Sequence, residues 1–270
     1  MDFYVREADV LHDVVKRGES VFLVVEAEGK FFQIKLPTYF SNPVTKEYLA
    51  NYIGRTLGFP LPKGGFVRFS KEFFELLVKT YPDIKKVIDV ELEGLVIFAV
   101  EWLSDTVVVD DEETLIEYIK DYVLNKEEFY SVYAFDLFLC NFDRHYKNFV
   151  ITSDLYLFFI DHERSFGSSD YSLIQDYEEY SGCIYSYPQV SYLYDFINEE
   201  ADFLKILEFA KIVDNFLLEE KVFEEFLAFS SKGFEFDDMD IKRSILRYFS
   251  KRIGKIKGYL EESKGDCFEI

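Results

Sequence analysis

The sequence lacks any apolar run of about 18 residues, the length that a membrane-spanning helix needs. Its opening, MDFYVREADV, does not follow the pattern of a secretory leader. We therefore expect neither a signal peptide nor a membrane-spanning helix. No segment repeats at a fixed period, so a repeat architecture is not expected either.

Cysteine is scarce as well. The three cysteines, Cys140, Cys183 and Cys267, are an odd number and do not have metal-type spacing. Cys140 falls within an apolar run, where a buried, reduced thiol is the expected form. The cysteine content therefore predicts a protein of the reducing cytoplasm.

Positive charge is limited, because the chain has 30 Lys and Arg residues but 51 Asp and Glu residues, which gives a formal net charge of −21. Such a surface repels phosphate backbones and anionic membranes, so neither nucleic acid nor a membrane is an expected partner. Apolar residues, in contrast, make up 49% of the chain, with 30 Phe and 20 Tyr. The 270 residues are therefore enough for two packed lobes that share a cleft.

The first part of the chain has the patterns of strands and short helices. Two β-type runs joined by a glycine-containing turn predict a hairpin. Apolar residues spaced four apart, behind a cap-then-proline start, predict a helix. The predicted elements, in chain order, are strands at 21–26 and 31–36, a helix at 43–57, a strand at 66–69, a helix at 71–80 and a strand at 95–100.

After residue 111 the periodicity becomes mostly helical. The predicted elements here are helices at 112–124 and 127–139, a second hairpin at 149–152 and 155–160, a long loop at 165–188, and amphipathic helices from 202 to 258 with a polar break at 230–240. A β-rich half followed by a helical half predicts an α+β fold with two lobes.

A polar string, NFDRHYKN at 141–148, follows directly after the second of these helices. Within it Asn148 lies five residues after Asp143, and Asp161 closes the apolar strand that follows. Phosphoryl transfer requires a positioned nucleophile and neutralised phosphate charge, and the spacing D-x-x-x-x-N followed by a strand-end Asp is typical of a kinase base and its magnesium ligands. The pattern predicts Asp143 as the base, and Asn148 and Asp161 as magnesium ligands.

These residues resemble the catalytic and metal-binding segments of the HipA-like kinases, a bacterial family related in fold to protein and phosphoinositide kinases. The matching segments are 141–148, 160–162 and 165–166, and upstream of them 32–35, Glu47 and the LGFPLP stretch at 57–62. The resemblance covers roughly residues 20–170, and the C-terminal helices match only in general character.

The resemblance implies roles for residues of the first lobe. Lys35 would bind the α- and β-phosphates of ATP, and Glu47 would pair with it. Lys35 also has a physical case, because a lone cation at the end of an apolar strand must find an anion. Glu101 and Leu103 would offer backbone groups to adenine. The G-x-G-x-x-G loop of protein kinases is missing, so a segment that includes Ser20 would cover the phosphates instead.

In the second lobe the resemblance agrees with the roles that spacing assigns to Asp143, Asn148 and Asp161. It adds His145 as a residue that lies near the phosphates. His162, which follows Asp161 directly, is interpreted as a structural residue that orders its loop through hydrogen bonds.

We therefore predict an α+β, two-lobe, protein-kinase-like fold, with an N-lobe at 1–103, a C-lobe at 104–270, and ATP and Mg²⁺ bound between them. The resemblance implies transfer of the γ-phosphoryl group to Ser or Thr of a protein, and a regulatory, antitoxin-like protein as a partner. The residues alone leave two alternatives open, a kinase for a small molecule or lipid headgroup and a non-catalytic nucleotide-binding partner protein. The Tyr-rich stretch 171–194 is interpreted either as an analogue of an activation segment or as a protein-binding surface.

Overall fold

Strand-forming residues of the first hundred positions assemble into one six-stranded sheet. The computed structural model describes residues 5–17, 20–37, 43–86, 93–141, 143–166, 193, 196–197, 199–229, 239–262 and 264. The strands are β1 (Val5–Glu7), β2 (Val10–Arg17), β3 (Ser20–Ala27), β4 (Lys30–Leu36), β5 (Gly64–Arg68) and β6 (Val96–Glu101). Their spatial order is β1-β5-β6-β4-β3-β2, in which β1 pairs with β5 in parallel and all other neighbours are antiparallel.

The predicted first hairpin is confirmed as β3 and β4. Its turn places Glu28 and Gly29 at φ values of 53° and 73°, a left-handed conformation that glycine adopts without steric cost. Strands β1 and β2 were not predicted. β2 is an edge strand that carries His12 and Asp13 among its apolar residues, and its register shifts between Leu11 and Asp13, so its sequence lacks clean alternation.

Two helices accompany the sheet, α1 (Val44–Thr56) and α2 (Lys71–Thr80), as predicted. Ser70 caps α2 by accepting a hydrogen bond from the Phe73 backbone nitrogen at 3.1 Å. The predicted cap of α1 at 41–42 lies outside the described residues. Helix α1 is almost wholly buried, because Tyr48 packs against Phe98 of the sheet and, on its other side, against Phe226 of the helical part.

The rest of the chain is mainly helical, which confirms the α+β fold. Its helices are α3 (Glu112–Asp121), α4 (Ser131–Leu139), α5 (Glu200–Asp214), α6 (Lys221–Phe229), α7 (Met239–Arg252) and α8 (Ile256–Glu262). The predicted second hairpin is present as β7 (Phe149–Ile151) and β8 (Leu157–Phe159). Short 3-10 helices lie at Pro82–Lys86, Lys126–Tyr130 and Tyr146–Asn148.

Two predicted helix boundaries are wrong. The helix predicted at 112–124 ends at Asp121, and the one predicted at 127–139 begins with a 3-10 turn before α4. The reason is a tertiary contact: the Asn125 side chain donates to the Leu157 carbonyl oxygen at 3.0 Å and accepts from the Leu157 nitrogen at 2.8 Å. These bonds fix the chain to β8 in a conformation that periodicity alone does not reveal.

Helix α4 forms the centre of the helical part, with every side chain buried. It packs against α5 and α8 and ends at Cys140, whose φ of 53° turns the chain out of the helix. Within the described residues no helix is both long and apolar enough to cross a bilayer. The predicted lobe boundary at 103/104 stays a prediction, and the Tyr-rich stretch 171–194 and most of the predicted loop at 165–188 lie outside the described residues.

Candidate active site

Lys35 is the centre of a cluster of charged side chains at the junction of the sheet and the helical part. On β4 the buried residues Phe32, Ile34 and Leu36 alternate with Gln33 and Lys35, so these two side chains leave the core face of the strand. The Lys35 ammonium nitrogen lies 2.6 Å from Glu47 Oε1 on α1 and 2.6 Å from Asp161 Oδ1 after β8. The predicted Lys35–Glu47 pair is therefore present.

A third carboxylate joins this cluster, and the sequence did not reveal it. Glu163 Oε2 lies 3.4 Å from the Lys35 ammonium nitrogen. A second acid two residues after Asp161 is the only sequence signal that could have suggested Glu163. One ammonium thus faces three carboxylates, and the excess negative charge favours a further cation.

The charges in this cluster depend on one another. Burial acts to lower the Lys35 pKa, but Asp161, Glu47 and Glu163 together raise it well above its ordinary value. Burial raises the Glu47 pKa, against the influence of Lys35. Burial also acts to raise the Asp161 pKa, yet the contact with Lys35 leaves it below its ordinary value. Lys35 and Asp161 are therefore both ionised at neutral pH.

The loop after α4 brings Asn148 next to Asp161. The Asn148 side-chain nitrogen donates to the Asp143 carbonyl oxygen at 2.7 Å, which leaves its amide oxygen for the cleft that the residue lines. The Ile160 nitrogen donates to the Asn148 carbonyl oxygen at 3.0 Å. Asp161 then takes a φ of 62°, a left-handed conformation that aspartate tolerates better than most residues. Both predicted metal ligands consequently border the same space.

A buried ion pair holds this loop in place. Arg144 of the loop and Asp136 of α4 are both fully buried. Arg144 Nε lies 2.8 Å from Asp136 Oδ2, and Arg144 Nη2 lies 2.9 Å from Asp136 Oδ1. Arg144 Nη1 donates to the carbonyl oxygens of Asn148 at 3.0 Å and Ile160 at 2.7 Å. One side chain thus joins α4, the loop and the end of β8. Sequence reasoning missed this role, although a lone aspartate within the apolar helix α4 is a signal for it.

His162 is a neutral structural residue, in agreement with its interpretation from the sequence. Burial, with Arg144 and Lys35 nearby, lowers the His162 pKa well below its ordinary value. Its Nε2 lies 3.0 Å from Arg144 Nη2, and its backbone nitrogen donates to Glu47 Oε1 at 3.0 Å. His162 therefore connects the buried ion pair to the Lys35 cluster.

Asp143 is partly buried and is joined to the cleft residue Asn148, whose side chain donates to the Asp143 carbonyl oxygen. Burial raises the Asp143 pKa, while His145 and Arg164 act to lower it and Asp161 acts to raise it. His145 lines the cleft, and its Nδ1 is buried without a hydrogen-bond partner among the described residues. The catalytic role of Asp143 and the phosphate-site role of His145 stay predictions.

The cleft has a volume of about 460 Å³, within the range of ligand sites. Its lining includes the apolar side chains of Phe22, Val100, Leu103 and Ile160, together with the charged side chains of Lys35, Asp161 and Glu163. Of the predicted site residues, those that line this cleft are Lys35, Glu101, Leu103, His145, Asn148 and Asp161.

Three predicted site residues do not line this cleft. Glu47 contacts Lys35, which lines the cleft, and the Asp143 carbonyl oxygen accepts a hydrogen bond from Asn148, which also lines it. Ser20 begins β3 opposite Arg17 on β2, and its side chain lies outside the described residues. The role of Ser20 in covering phosphates therefore stays a prediction.

The segment after β6 could hold a nucleobase edge. The nitrogens of Glu101 and Trp102 donate to the carbonyl oxygens of Lys63 and Phe31 at 2.7 and 2.8 Å, which ties the segment to the sheet. Within the described part of the chain, the Leu103 N–H is left without a hydrogen-bond partner. Leu103 lines the cleft, so this donor is available beside it.

The side chains present fit a magnesium ion that is shared with phosphates. Among the described residues no group of three or more His, Cys, Asp or Glu is arranged to hold a metal by itself. Mg²⁺ is commonly held by only one or two carboxylates together with substrate phosphates and water. The Asp161 carboxylate and the Asn148 amide oxygen offer such a partial set of oxygen ligands.

Comparison with known proteins supports the fold. No protein-family model and no curated protein matches the chain. A crystal structure of CtkA, a proinflammatory kinase of Helicobacter pylori, aligns with a TM-score of 0.53 and 14% identity over 97% of this chain and 98% of that one. The fold is kinase-like. At 14% identity this likeness shows the fold and not the family, so membership of the HipA-like kinases stays a prediction.

Proposed function

We propose that this protein is an ATP- and Mg²⁺-dependent phosphotransferase that acts on a hydroxyl group. The observation that carries the proposal is the contact of Lys35 with both Glu47 and Asp161, at 2.6 Å each, beside Asn148 in a 460 Å³ cleft. A kinase-like fold and a structural neighbour that is a kinase support the same activity. A cation, an acid that can bind a metal and an amide ligand in one cleft are what phosphoryl transfer needs.

The residues have separate roles in this proposal. The adenine lies against the apolar side chains of Val100 and Leu103, with the Leu103 N–H and the Glu101 carbonyl as its backbone partners. Lys35 binds the α- and β-phosphates, Glu47 holds Lys35 in place, and His145 lies beside the phosphates. When bound, Mg²⁺ supplies neutralisation of the phosphate charge, and its protein ligands are Asn148 and Asp161.

Asp143 is proposed as the general base. It accepts the proton of the acceptor hydroxyl while the hydroxyl oxygen forms a bond to the γ-phosphorus, and the bond between this phosphorus and the β–γ bridging oxygen breaks to release ADP. Burial raises the Asp143 pKa, which makes its carboxylate a better proton acceptor than an exposed one. The acceptor is proposed to be a Ser or Thr of a protein, by the resemblance described above.

Calorimetric titration with ADP and with the non-hydrolysable ATP analogue AMP-PNP, each with and without Mg²⁺, tests the binding part of this proposal. We expect Mg²⁺ to tighten binding of both nucleotides to the wild type, and Asp161→Asn to remove that effect. An Asp110→Asn variant, which changes an exposed acid before α3, is the matched control. If Mg²⁺ changes neither affinity in the wild type, the proposed metal ligands are wrong.

A further inference from the structure

Three large side chains lie exposed where the segment after α3 meets the β7–β8 hairpin. Tyr122 and Leu124, which follow α3, are 52% and 65% exposed, and Tyr156, just before β8, is 44% exposed. The Leu124 nitrogen donates to the Leu155 carbonyl oxygen at 2.9 Å, so the two segments run side by side. Single exposed apolar residues are ordinary, whereas a group of them at one place is typical of an interaction surface.

Three exposed carboxylates border these side chains. Asp121 ends α3, and Asp154 lies in the turn between β7 and β8. Asp105 is fixed to the same turn, because its carbonyl oxygen accepts a hydrogen bond from the Ser153 nitrogen at 2.6 Å. Within the described part of the chain, none of the three carboxylates forms an ion pair.

The two lysines that flank Asp121 in the sequence are engaged elsewhere. Lys120 Nζ lies over the Phe196 ring, 5.5 Å from its centroid, and Lys126 Nζ donates to the Lys120 carbonyl oxygen at 3.3 Å. The negative charge beside the exposed side chains is therefore not compensated locally. A partner that brings both positive charge and apolar surface gains Coulomb attraction and apolar burial at the same place.

This surface adjoins the cleft but lies outside it. Thr106, the residue after Asp105, lines the cleft and forms a β-bridge with Thr152 at the end of β7. The three carboxylates and the three exposed side chains described above do not line the cleft. A partner bound here is thus close to the cleft without entering it.

We propose that a basic segment of another protein, in which Lys or Arg residues are next to large apolar residues, binds to this surface. We call it the Tyr122 surface, and it consists of Asp105, Asp121, Tyr122, Leu124, Asp154 and Tyr156. Tyrosine rings suit such a segment, because they contact both aliphatic groups and the cationic ends of Lys and Arg. A second copy of this chain, with a net charge of −21, brings mainly negative charge and is not the partner.

Three fluorescent peptides of equal length test the proposal. The first repeats two lysines and two leucines, the second has serine in place of each leucine, and the third has glutamate in place of each lysine. Binding is measured by fluorescence anisotropy. We expect the wild type to bind the first peptide about tenfold more tightly than either of the others, and added salt to weaken this binding. Equal binding of the first peptide and either of the others, or no binding of the first, would overturn the proposal.

Variants assign the binding to the Tyr122 surface. Leu124→Ser removes apolar surface and Asp121→Lys reverses a charge, both at exposed positions. We expect each change to weaken binding of the first peptide by about fivefold, and their combination to weaken it further. The matched controls are Leu76→Ser and Glu75→Lys, which change an exposed leucine and an exposed acid on α2 and should leave the affinity unchanged.

Equal effects of the α2 variants and of the Tyr122-surface variants would show that the peptide binds elsewhere, and would overturn the proposal. Thermal unfolding of each variant confirms that the fold is retained. The peptide measurement needs no nucleotide, so it is independent of the proposed phosphotransferase activity. Titration with ADP checks the cleft separately, and we expect its affinity to be the same in the wild type and in all four single variants.

Discussion

The ammonium nitrogen of Lys35 lies 2.6 Å from Asp161 Oδ1, so the proposed phosphate-binding cation is paired with the proposed metal-binding acid. These residues are 126 positions apart and come from the sheet and from the end of β8. With Glu47 and Glu163 they form a partly buried group of one positive and three negative charges. The stability of the fold and the proposed activity therefore depend on the same lysine.

Replacement of Lys35 by Met should destabilise the fold in a pH-dependent way. Without the ammonium, three clustered carboxylates remain, and Glu47 loses the cation that lowers its pKa, so burial raises the folded-state Glu47 pKa further above the unfolded value. Groups with raised folded pKa values favour folding at low pH and cease to do so as the pH rises through those values. We expect a loss of about 3–5 kcal/mol in the free energy of unfolding at pH 8 and a smaller loss at pH 5, measured by urea denaturation.

Lys30→Met is the matched control, because Lys30 lies on the same strand and its ion pair with Glu101 is largely exposed. Its expected cost is about 0–1 kcal/mol at either pH. If Lys35→Met costs no more than this control, or costs the same at both pH values, the account of the buried cluster is wrong.

The proposed base should be visible in the pH dependence of phosphoryl transfer. Burial raises the Asp143 pKa, so the active carboxylate is lost as the pH falls through a pKa that is higher than that of an exposed aspartate. We expect the transfer rate to fall tenfold per pH unit below that value. Asp143→Asn should lower the rate by about 10²–10⁴-fold and remove this limb of the profile. A profile in Asp143→Asn that retains the limb would assign the titration to another group.

Replacement of Arg144, the cation of the buried ion pair with Asp136, by Lys should destabilise the fold. Arg144→Lys keeps the charge but loses the fork that contacts Asp136 and two backbone carbonyls. We expect a loss of about 3–5 kcal/mol in the free energy of unfolding. The same change at Arg68, whose ion pair with Glu7 is half exposed, should cost less than about 1 kcal/mol. Comparable losses in the two variants would contradict the proposed role of Arg144.

Much of this arrangement could be predicted from local sequence. The β3–β4 hairpin follows from strand runs around a glycine turn, and Asp143, Asn148 and Asp161 follow from their spacing and their places at element ends. The structure brings Asn148 and Asp161 to one cleft, and the Asn148 side chain donates a hydrogen bond to the Asp143 carbonyl oxygen. Their chemical roles stay predictions, since geometry alone does not test them.

Long-range contacts account for what the sequence did not reveal. Glu163 gains its place through Lys35, and Asn125 ends a helix through Leu157 on β8, and both contacts join residues that are far apart in the chain. The edge strand β2 has too little alternation to be recognised. Asn51 looks in the sequence like any polar residue of a helix, and only the packing of α1 against the sheet shows that its oxygen is buried and unpaired.

Cys140 should be unreactive in the folded protein. The thiol is fully buried at the end of α4, and burial raises its pKa, so little thiolate is present and reagents cannot reach it. We expect iodoacetamide to modify the Cys140 peptide only under conditions that unfold the protein, as measured by peptide mass spectrometry. Modification in urea provides the control. Rapid labelling of Cys140 in native buffer would show that this end of α4 opens.

The proposed phosphotransferase activity is tested most directly by incubation of the purified protein with Mg²⁺ and ATP labelled at the γ-phosphate, with a bacterial protein extract as acceptor. Asp143→Asn and Asp161→Asn are tested in parallel, with Asp110→Asn as the control. We expect label to pass to protein with the wild type and with Asp110→Asn, and not with the two site variants. The proposed activity would be contradicted if the wild type binds nucleotide but neither transfers label to protein nor releases labelled phosphate. That result would favour a non-catalytic nucleotide-binding protein.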